Sequence, residues 1–546
     1  MTRARAATRS AMVAALMMHS IAMHAQQLRG IVTDSSSGHP VSGAVVLMLS
    51  ASRTTLARTI ASERGEYAIA MGSNARMVRV LRIGFRAREV PIDERARDSG
   101  RLEIALATIP AMLEEVGVTA SSKCPRSDDA TQAFSLLDQA RAGLLATVVA
   151  RDARPAAMKL LMFDRIMDES NQRIARQRVA IDGKGNHAKA FSAVNRDFVR
   201  DGFARDSADV QQFFGPEAET LLDESFMLGY CVRIDRPERG RATQVGLGFY
   251  RPDPRRGRVD IEGTLWIDTV ARALKDFDFR FIGAERVKGV RDPGGHIWFR
   301  EMPNGVVLID RWHLRLVGAK VDTEYLARGQ RERVDYFNRE SGGEIARAVW
   351  PDSSRWQGSL ATVVLRVVDS LAQPATDVYV RFTDTDYVGR PGSDGFLEIR
   401  DVLPGPYNVE VIDATQTNGR ISIGTSLRIV ADRDSVIHRT LVAPPKIEFQ
   451  REACFGARAS WVTVKAVRKD KPVANVHWDV GESLETDNPF ISLSGIADAQ
   501  GTFSFCLHAS RGTSTQVRIR AQTPGQKHTI KVLSTLGDVV RIELKP

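Results

Sequence analysis

Three passages of this chain repeat one pattern: a strand, a polar turn holding a Pro, a returning strand, then a Gly turn into another strand. The first is "QLRGIVTDSSSGHPVSGAVV" at 27–46, with "SERGEYAIAM" at 62–71. The second is "ATVVLRVVDSLAQPATDVYVRF" at 361–382, with "GSDGFLEIRDVLPGPYNVEVI" at 392–412. The third is "SWVTVKAVRKDKPVANVHWDV" at 460–480, with "ADAQGTFSFCL" at 497–507. Alternation of apolar and polar residues gives each strand one buried face, and turn signals at regular spacing predict small antiparallel sandwiches. Recurrence without a tight period points to separate beads rather than a solenoid.

The chain has 546 residues, too many for one core. Arg3, Arg5 and Arg9 precede an apolar run from Ala11 to Met18, and small residues lie near Ala22 and Ala25. Residues 1–25 therefore read as a secretory signal. The run is too short to cross a hydrocarbon core of about 30 Å, and no later run approaches about 18 consecutive apolar residues. The expectation is an exported chain, periplasmic or extracellular and associated with the outer membrane, with no transmembrane segment after cleavage.

Four cysteines in an exported chain suggest disulfides. Cys124–Cys231 and Cys454–Cys506 are the favoured pairs, because each closes a loop inside one expected domain. Neither pair has CxxC spacing, so no metal site is expected. A net charge of +10 and a pI near 9.5 raise the question of nucleic acid. Acidic residues are interleaved throughout, however, and the densest spot, "RPDPRRGR" at 251–258, reads as a turn between strands. No nucleic-acid partner is expected; weak attraction to anionic envelope surfaces is.

Gly30, Val32, Asp34, Pro40, Gly43, Ala44, Val46, Glu63, Gly65 and Tyr67 make the first passage resemble the carboxypeptidase regulatory-like domain, a transthyretin-like sandwich. The second passage is similar through Val367, Asp369, Pro374, Val378, Asp394, Gly395, Phe396 and "LPGPY" at 403–407. The third keeps Pro472, Val473, Val476, Asp498, Gly501 and Phe503. These are turn and core residues, so the resemblance implies a fold and carries no chemistry. Starch-binding-like sandwiches also resemble such modules, which implies a polysaccharide as one class of partner.

Residues 108–135 read as a linker, and "LEEVGVTA" at 113–120 resembles the segment following such a domain at the front of TonB-dependent receptors. Phe134, Leu137, Ala140, Leu144, Leu145 and Val148 then share one face of a helix predicted over 132–150. A run of alternating strands follows, broken by a second helix predicted over 208–224. Long antiparallel strands with two helices suggest a curved sheet capped by helices. The passage "IEGTLWIDTVARALKDFDFRF" at 261–281 resembles periplasmic lipoprotein-carrier and outer-membrane lipoprotein-sorting proteins, which implies an open half-barrel around an acyl chain or other apolar ligand.

The expected architecture is mainly β and multidomain. It has a sandwich at 26–107, a linker at 108–135, a curved-sheet domain at 136–345, a second sandwich at 359–443 and a divergent third at 447–546. No HExxH or HxxE pattern follows any of the ten histidines, and GxSxG, Walker and post-strand GxGxxG patterns are absent. No catalytic residue and no cofactor is expected. Asp276 and Asp278 lie two apart on a strand, a spacing that could serve acid–base work. With Phe277, Phe279 and Phe281 opposite, they read as a solvent face over a core. In "DRWHLR", Arg311, His313 and Arg315 oppose Asp310, Trp312 and Leu314; the basic stripe is either an anionic-headgroup grip or an exposed strand face. Phe249, Trp266, Phe281, Trp298 and Trp312 are candidates for an apolar pouch, and an ordinary filled core accounts for the same residues. The function expected is non-enzymatic binding in the cell envelope, with a lipid, an envelope protein or a polysaccharide as partner. The alternatives are a component of TonB-dependent uptake or a regulatory partner of a peptidase or other hydrolase.

Overall fold

The computed structural model describes residues 27–109, 124, 130–168, 173–182, 198–207, 210–237, 240–253, 255–284, 291–326, 329–413, 427–444, 459–482, 490–498, 500–508, 517–523, 529–533 and 539–544. The protein is mostly β. The first module holds β1 (Gln27–Asp34), β2 (Val45–Leu49), β3 (Thr55–Ile60), β4 (Glu66–Ala70), β5 (Met77–Leu81), β6 (Arg88–Pro91), a short helix α1 (Glu94–Ser99) and β7 (Ile104–Leu106). Its two sheets run β4-β1-β7 and β3-β2-β5-β6. In β4 the alternation buries Tyr67 and Ile69 and exposes Glu66, Ala68 and Ala70.

The central fold starts with α2 (Ala130–Ala153), β8 (Ala157–Met167) and β9 (Ile174–Asp182). Then come α3 (Phe198–Asp201), β10 (Ala204–Ser207), β11 (Val210–Phe213), α4 (Ala218–Leu222) and α5 (Glu224–Gly229). It continues with β12 (Cys231–Asp235), β13 (Gln244–Tyr250), β14 (Asp260–Asp268), β15 (Ala273–Ile282), β16 (Gly294–Glu301), β17 (Val307–Leu326), β18 (Gly329–Val349) and β19 (Arg355–Gln357). The single helix expected over 208–224 is instead strand β11 followed by α4, with α5 beginning at its end. Asp223 closes α4 and caps α5, its side chain accepting from the Ser225 N–H, so one polar residue breaks the stretch. An antiparallel ten-stranded sheet runs β12-β13-β14-β15-β16-β17-β18-β8-β9, with β19 on β18, and its ends are not joined into a closed barrel.

The second module comprises β20 (Ala361–Val368), β21 (Val378–Phe382), β22 (Val388–Gly389), β23 (Phe396–Val402), β24 (Gly405–Asp413), β25 (Leu427–Ala431) and β26 (Val436–Val442). The third comprises β27 (Ala459–Arg468), β28 (Lys471–Pro472), β29 (His477–Glu482), β30 (Phe490–Ile496), β31 (Thr502–His508), β32 (Val517–Gln522), β33 (Thr529–Leu533) and β34 (Val539–Glu543). All three sandwiches share one wiring. The opening strand pairs antiparallel with a later one and parallel with the last: β1 with β4 and β7, β20 with β23 and β26, β27 with β31 and β34.

The repeated Gly explains part of this wiring. Gly65, Gly395 and Gly501 sit at φ +71°, +79° and +71°. Their carbonyls accept from the N–H groups of Val32, Val367 and Ala466, each at 2.8 Å. A Cβ at Gly395 would stand 2.8 Å from the Val367 carbonyl oxygen, and one at Gly501 2.7 Å from that of Ala466. Only Gly combines the left-handed backbone with so close an approach.

Two sandwiches are not separate beads. Helix α2 lies between the first module and the central sheet. Its Leu136, Ala140, Leu144 and Val148 share a core with Val45, Leu47 and Ile83 on one side and Phe277, Phe279 and Ile297 on the other. Among the described residues it is the one helix long and apolar enough to cross a membrane, yet most of it is buried in this fold. Gly143 permits the contact, since a Cβ there would meet Ile83 Cδ1 and Leu274 Cγ at 2.6 Å each. The predicted one-sided helix is therefore two-sided, because Val149 and Ala142 add apolar surface outside the expected stripe.

The second module covers the β9 edge of the central sheet. Asp386 N–H donates to the Val179 carbonyl at 2.9 Å, and Val179 N–H to that of Asp384 at 3.2 Å. Phe163, Val179 and Ala346 enter this module's core. At the opposite edge, Cys231 at the start of β12 is bonded to Cys124, with Cα atoms 5.6 Å apart, as expected for that pair. Exposed edges invite intermolecular pairing, and these attachments cover part of each. Cys454 lies outside the described residues, so the Cys454–Cys506 pairing does too, as do the expected signal at 1–25 and most of the linker.

Candidate functional site

Period-two geometry gives the central sheet two unlike faces. One carries Phe249, Leu265, Phe277, Phe279, Phe281, Ile297 and Trp312 into the core filled by α2. The other carries Trp266, Asp276, Asp278, His296, Trp298, Arg311, His313 and Arg315, which are cross-strand neighbours. Asp276 pairs with both Trp266 and Trp298, His296 with His313, and Trp298 with Arg311.

A connected cluster results. Arg241, from the β12–β13 turn, forks onto Asp276 at 2.8 and 2.9 Å and lies over Trp266, 4.6 Å from its centroid. Asp276 Oδ1 lies 3.1 Å from His296 Nε2, and the His296 ring stacks on Trp298 with centroids 3.8 Å apart. The Arg311 guanidinium sits 4.0 Å from the Trp298 centroid. Arg315 reaches Asp278 at 3.2 Å, and His313 Nε2 lies 3.7 Å from Glu340 Oε1.

The electrostatics follow from burial and neighbours. Burial pushes the His313 ring down to about 2, helped by the nearby charges of Arg315, His296, Arg165 and Arg311, so it is neutral at ordinary pH. Burial opposes ionisation of Asp276, but His296 and Arg241 outweigh it and hold the carboxyl below its usual value. For Asp310 burial wins over Arg300, and the carboxyl titrates above its usual value. Among the described residues no three His, Cys, Asp or Glu side chains gather as a metal set.

The five candidate pouch residues do not line one surface. Phe249, Phe281 and Trp312 lie in the core under α2, whereas Trp266 and Trp298 lie on the opposite face. Asp276 and Asp278 do share a face, but Asp276 is buried in ion pairs rather than solvated. Arg311, His313 and Arg315 share a face as read. A register shift at Trp298/Phe299 leaves Asp310 without a partner on β16, and it bonds Arg300 at 2.5 Å. Arg241, Glu340, Glu344 and Arg165 were missed. They come from segments distant in the chain, and nothing in their local patterns marks them.

Residues 27–107 match the carboxypeptidase regulatory-like domain family. No curated protein matches the sequence. Among solved structures, the Bacillus anthracis TIE protein aligns at 7% identity and TM-score 0.14, over 62% of this chain and 63% of that one. A streptococcal ancillary pilin aligns at 9% and TM-score 0.14, over 39% and 81% respectively. The shaft pilin SpaA from Lactobacillus rhamnosus GG aligns at 9% and TM-score 0.15, over 34% and 100%.

Proposed function

We propose that this chain is an exported cell-envelope protein that works by binding rather than catalysis. The contact surface is the polar face of β15 to β18, and the sandwiches are its frame. The observation that carries this reading is the cluster of Trp298, His296, His313 and Arg311: charged and aromatic groups held half-buried by a rigid sheet, on the face that α2 does not fill. Such convergence of a few polar groups with aromatic surface is what a binding site needs.

Export is supported by the apolar, Arg-led first 25 residues and by the Cys124–Cys231 bond, which persists in oxidising compartments. The shared wiring and the shared Gly turn support reading the second and third sandwiches as further copies of the regulatory-like module. Sheet order and a helix on one face support the carrier-like reading of the centre, but α2 occupies the surface an acyl chain would need. We therefore place the partner, an envelope polysaccharide or protein, on the opposite face.

The test is expression of the tagged chain in a Gram-negative host, with fractionation and binding to purified envelope. The mature protein should start near residue 26 and be retained, and Trp298→Ala should weaken retention roughly tenfold. Cytoplasmic accumulation, or retention unchanged by that substitution, rejects the reading.

A further inference from the structure

One cation in this cluster has no counter-charge of its own. Arg311 lies against Trp298, its Nε has no hydrogen-bond partner, and among the described residues no carboxylate comes within ion-pair distance of it. His313, two residues along on the same face, has its ring 5.4 Å from that of Trp298, and its Nε2 also lacks a hydrogen-bond partner.

The surrounding acids are committed elsewhere. Glu344 forks onto Arg433 at 2.6 and 2.8 Å, Asp310 bonds Arg300 at 2.5 Å, Asp278 takes Arg315 at 3.2 Å and Asp276 takes Arg241 at 2.8 Å. Glu340 alone remains, at 3.7 Å from His313 and beyond hydrogen-bonding distance. Buried polar groups are normally satisfied, so an Nε without a partner on a guanidinium without a counter-charge suits an acceptor of negative charge. The planar fork of Arg suits an oxyanion, and stacking on Trp298 uses the guanidinium face while leaving its edge for hydrogen bonds.

We propose that Arg311 and His313, side by side over Trp298, form a binding site for an oxyanion, a carboxylate or a phosphate group carried by the ligand. The inference rests on the reading of this face as the contact surface and names the chemistry it takes.

The test is isothermal titration of the full, oxidised chain at low ionic strength with inorganic phosphate and, separately, with glucuronate. Saturable single-site binding of at least one is expected, and which one binds more tightly identifies a phosphoryl or a sugar-acid source. Arg311→Gln should weaken it about tenfold or more. Arg311→Lys, which keeps the charge but loses the fork, should weaken it about threefold and serves if the Gln variant does not fold. His313→Gln should weaken it about threefold. No saturable binding of either anion, or binding unchanged in both Arg311 variants, overturns the inference. Envelope retention without anion binding sinks this inference alone, and anion binding without retention sinks only the proposed function.

Discussion

Asp401 Oδ2 lies 2.7 Å from Lys159 Nζ, across the seam between the second sandwich and the central sheet. The carboxylate is almost wholly buried, stands at φ +60°, and also receives Gln357 at 3.3 Å and Arg347 at 3.4 Å. Asp tolerates the left-handed region better than most residues, so this position selects both charge and backbone. Asp401→Asn keeps the backbone preference and removes the charge. We expect a loss of about 1–3 kcal/mol, seen in urea unfolding followed by fluorescence. An unchanged midpoint would show that the Asp401 charge adds nothing to the seam.

The Gly turns separate strain from crowding. Gly65→Ala places a methyl against the Val32 carbonyl at positive φ, whereas Gly38→Ala, at φ +73°, has nothing within 4 Å. Gly38→Ala should cost about 1–2 kcal/mol from the backbone alone, and Gly65→Ala distinctly more. Thermal unfolding of the two variants checks the order.

The Cys124–Cys231 bond closes a separation of 107 residues. In the chain-entropy account a loop of that size stabilises by about 4–5 kcal/mol. Reduction with dithiothreitol, or the paired change to Ser, should lower the urea midpoint by a matching amount. If the midpoint does not move, the pin contributes nothing to the stability of the β12 edge.

Acid should unfold the central sheet through His313. Its ring titrates at 6.5 when free and near 2 when buried, so between those values the unfolded chain holds a proton that the folded chain refuses. Stability is thus complete above pH 6.5 and falls on acidification, by at most about 1.4 kcal/mol per pH unit for one group. Asp276, depressed below 3.8, adds a loss in the same direction at lower pH. His313→Gln should flatten the stability profile between about pH 4 and 6.5 relative to the parent, measured by urea midpoints.

The sandwiches were legible in the sequence because their signals are local. The order of Val32, Pro40 and Gly65 sets strand, turn and pairing through backbone geometry, and the same order recurs at Val367, Pro374 and Gly395. The two-faced strand carrying Asp276 and Phe277 was legible for the same reason. What those faces meet was not. The apolar residues of α2 read as a one-sided stripe, because the second surface against it, Ile83 and Leu47 of the first sandwich, lies far back in the chain.

Alternation along a strand assigns each side chain to a side, and the strands of β14 to β17 obeyed it except at the irregularities beside Trp266 and Trp298. Which side becomes core depends on what packs there, and that is a long-range matter: α2 took the side of Phe249, Phe281 and Trp312, leaving Trp266 and Trp298 among charges. Asp276 went from a solvated carboxylate to a buried one because Arg241, in a distant turn, and His296, one strand away, converge on it. Periodicity is a property of neighbours in the chain. Burial, charge pairing and the unpaired Arg311 are properties of neighbours in space, and only folding brought those together.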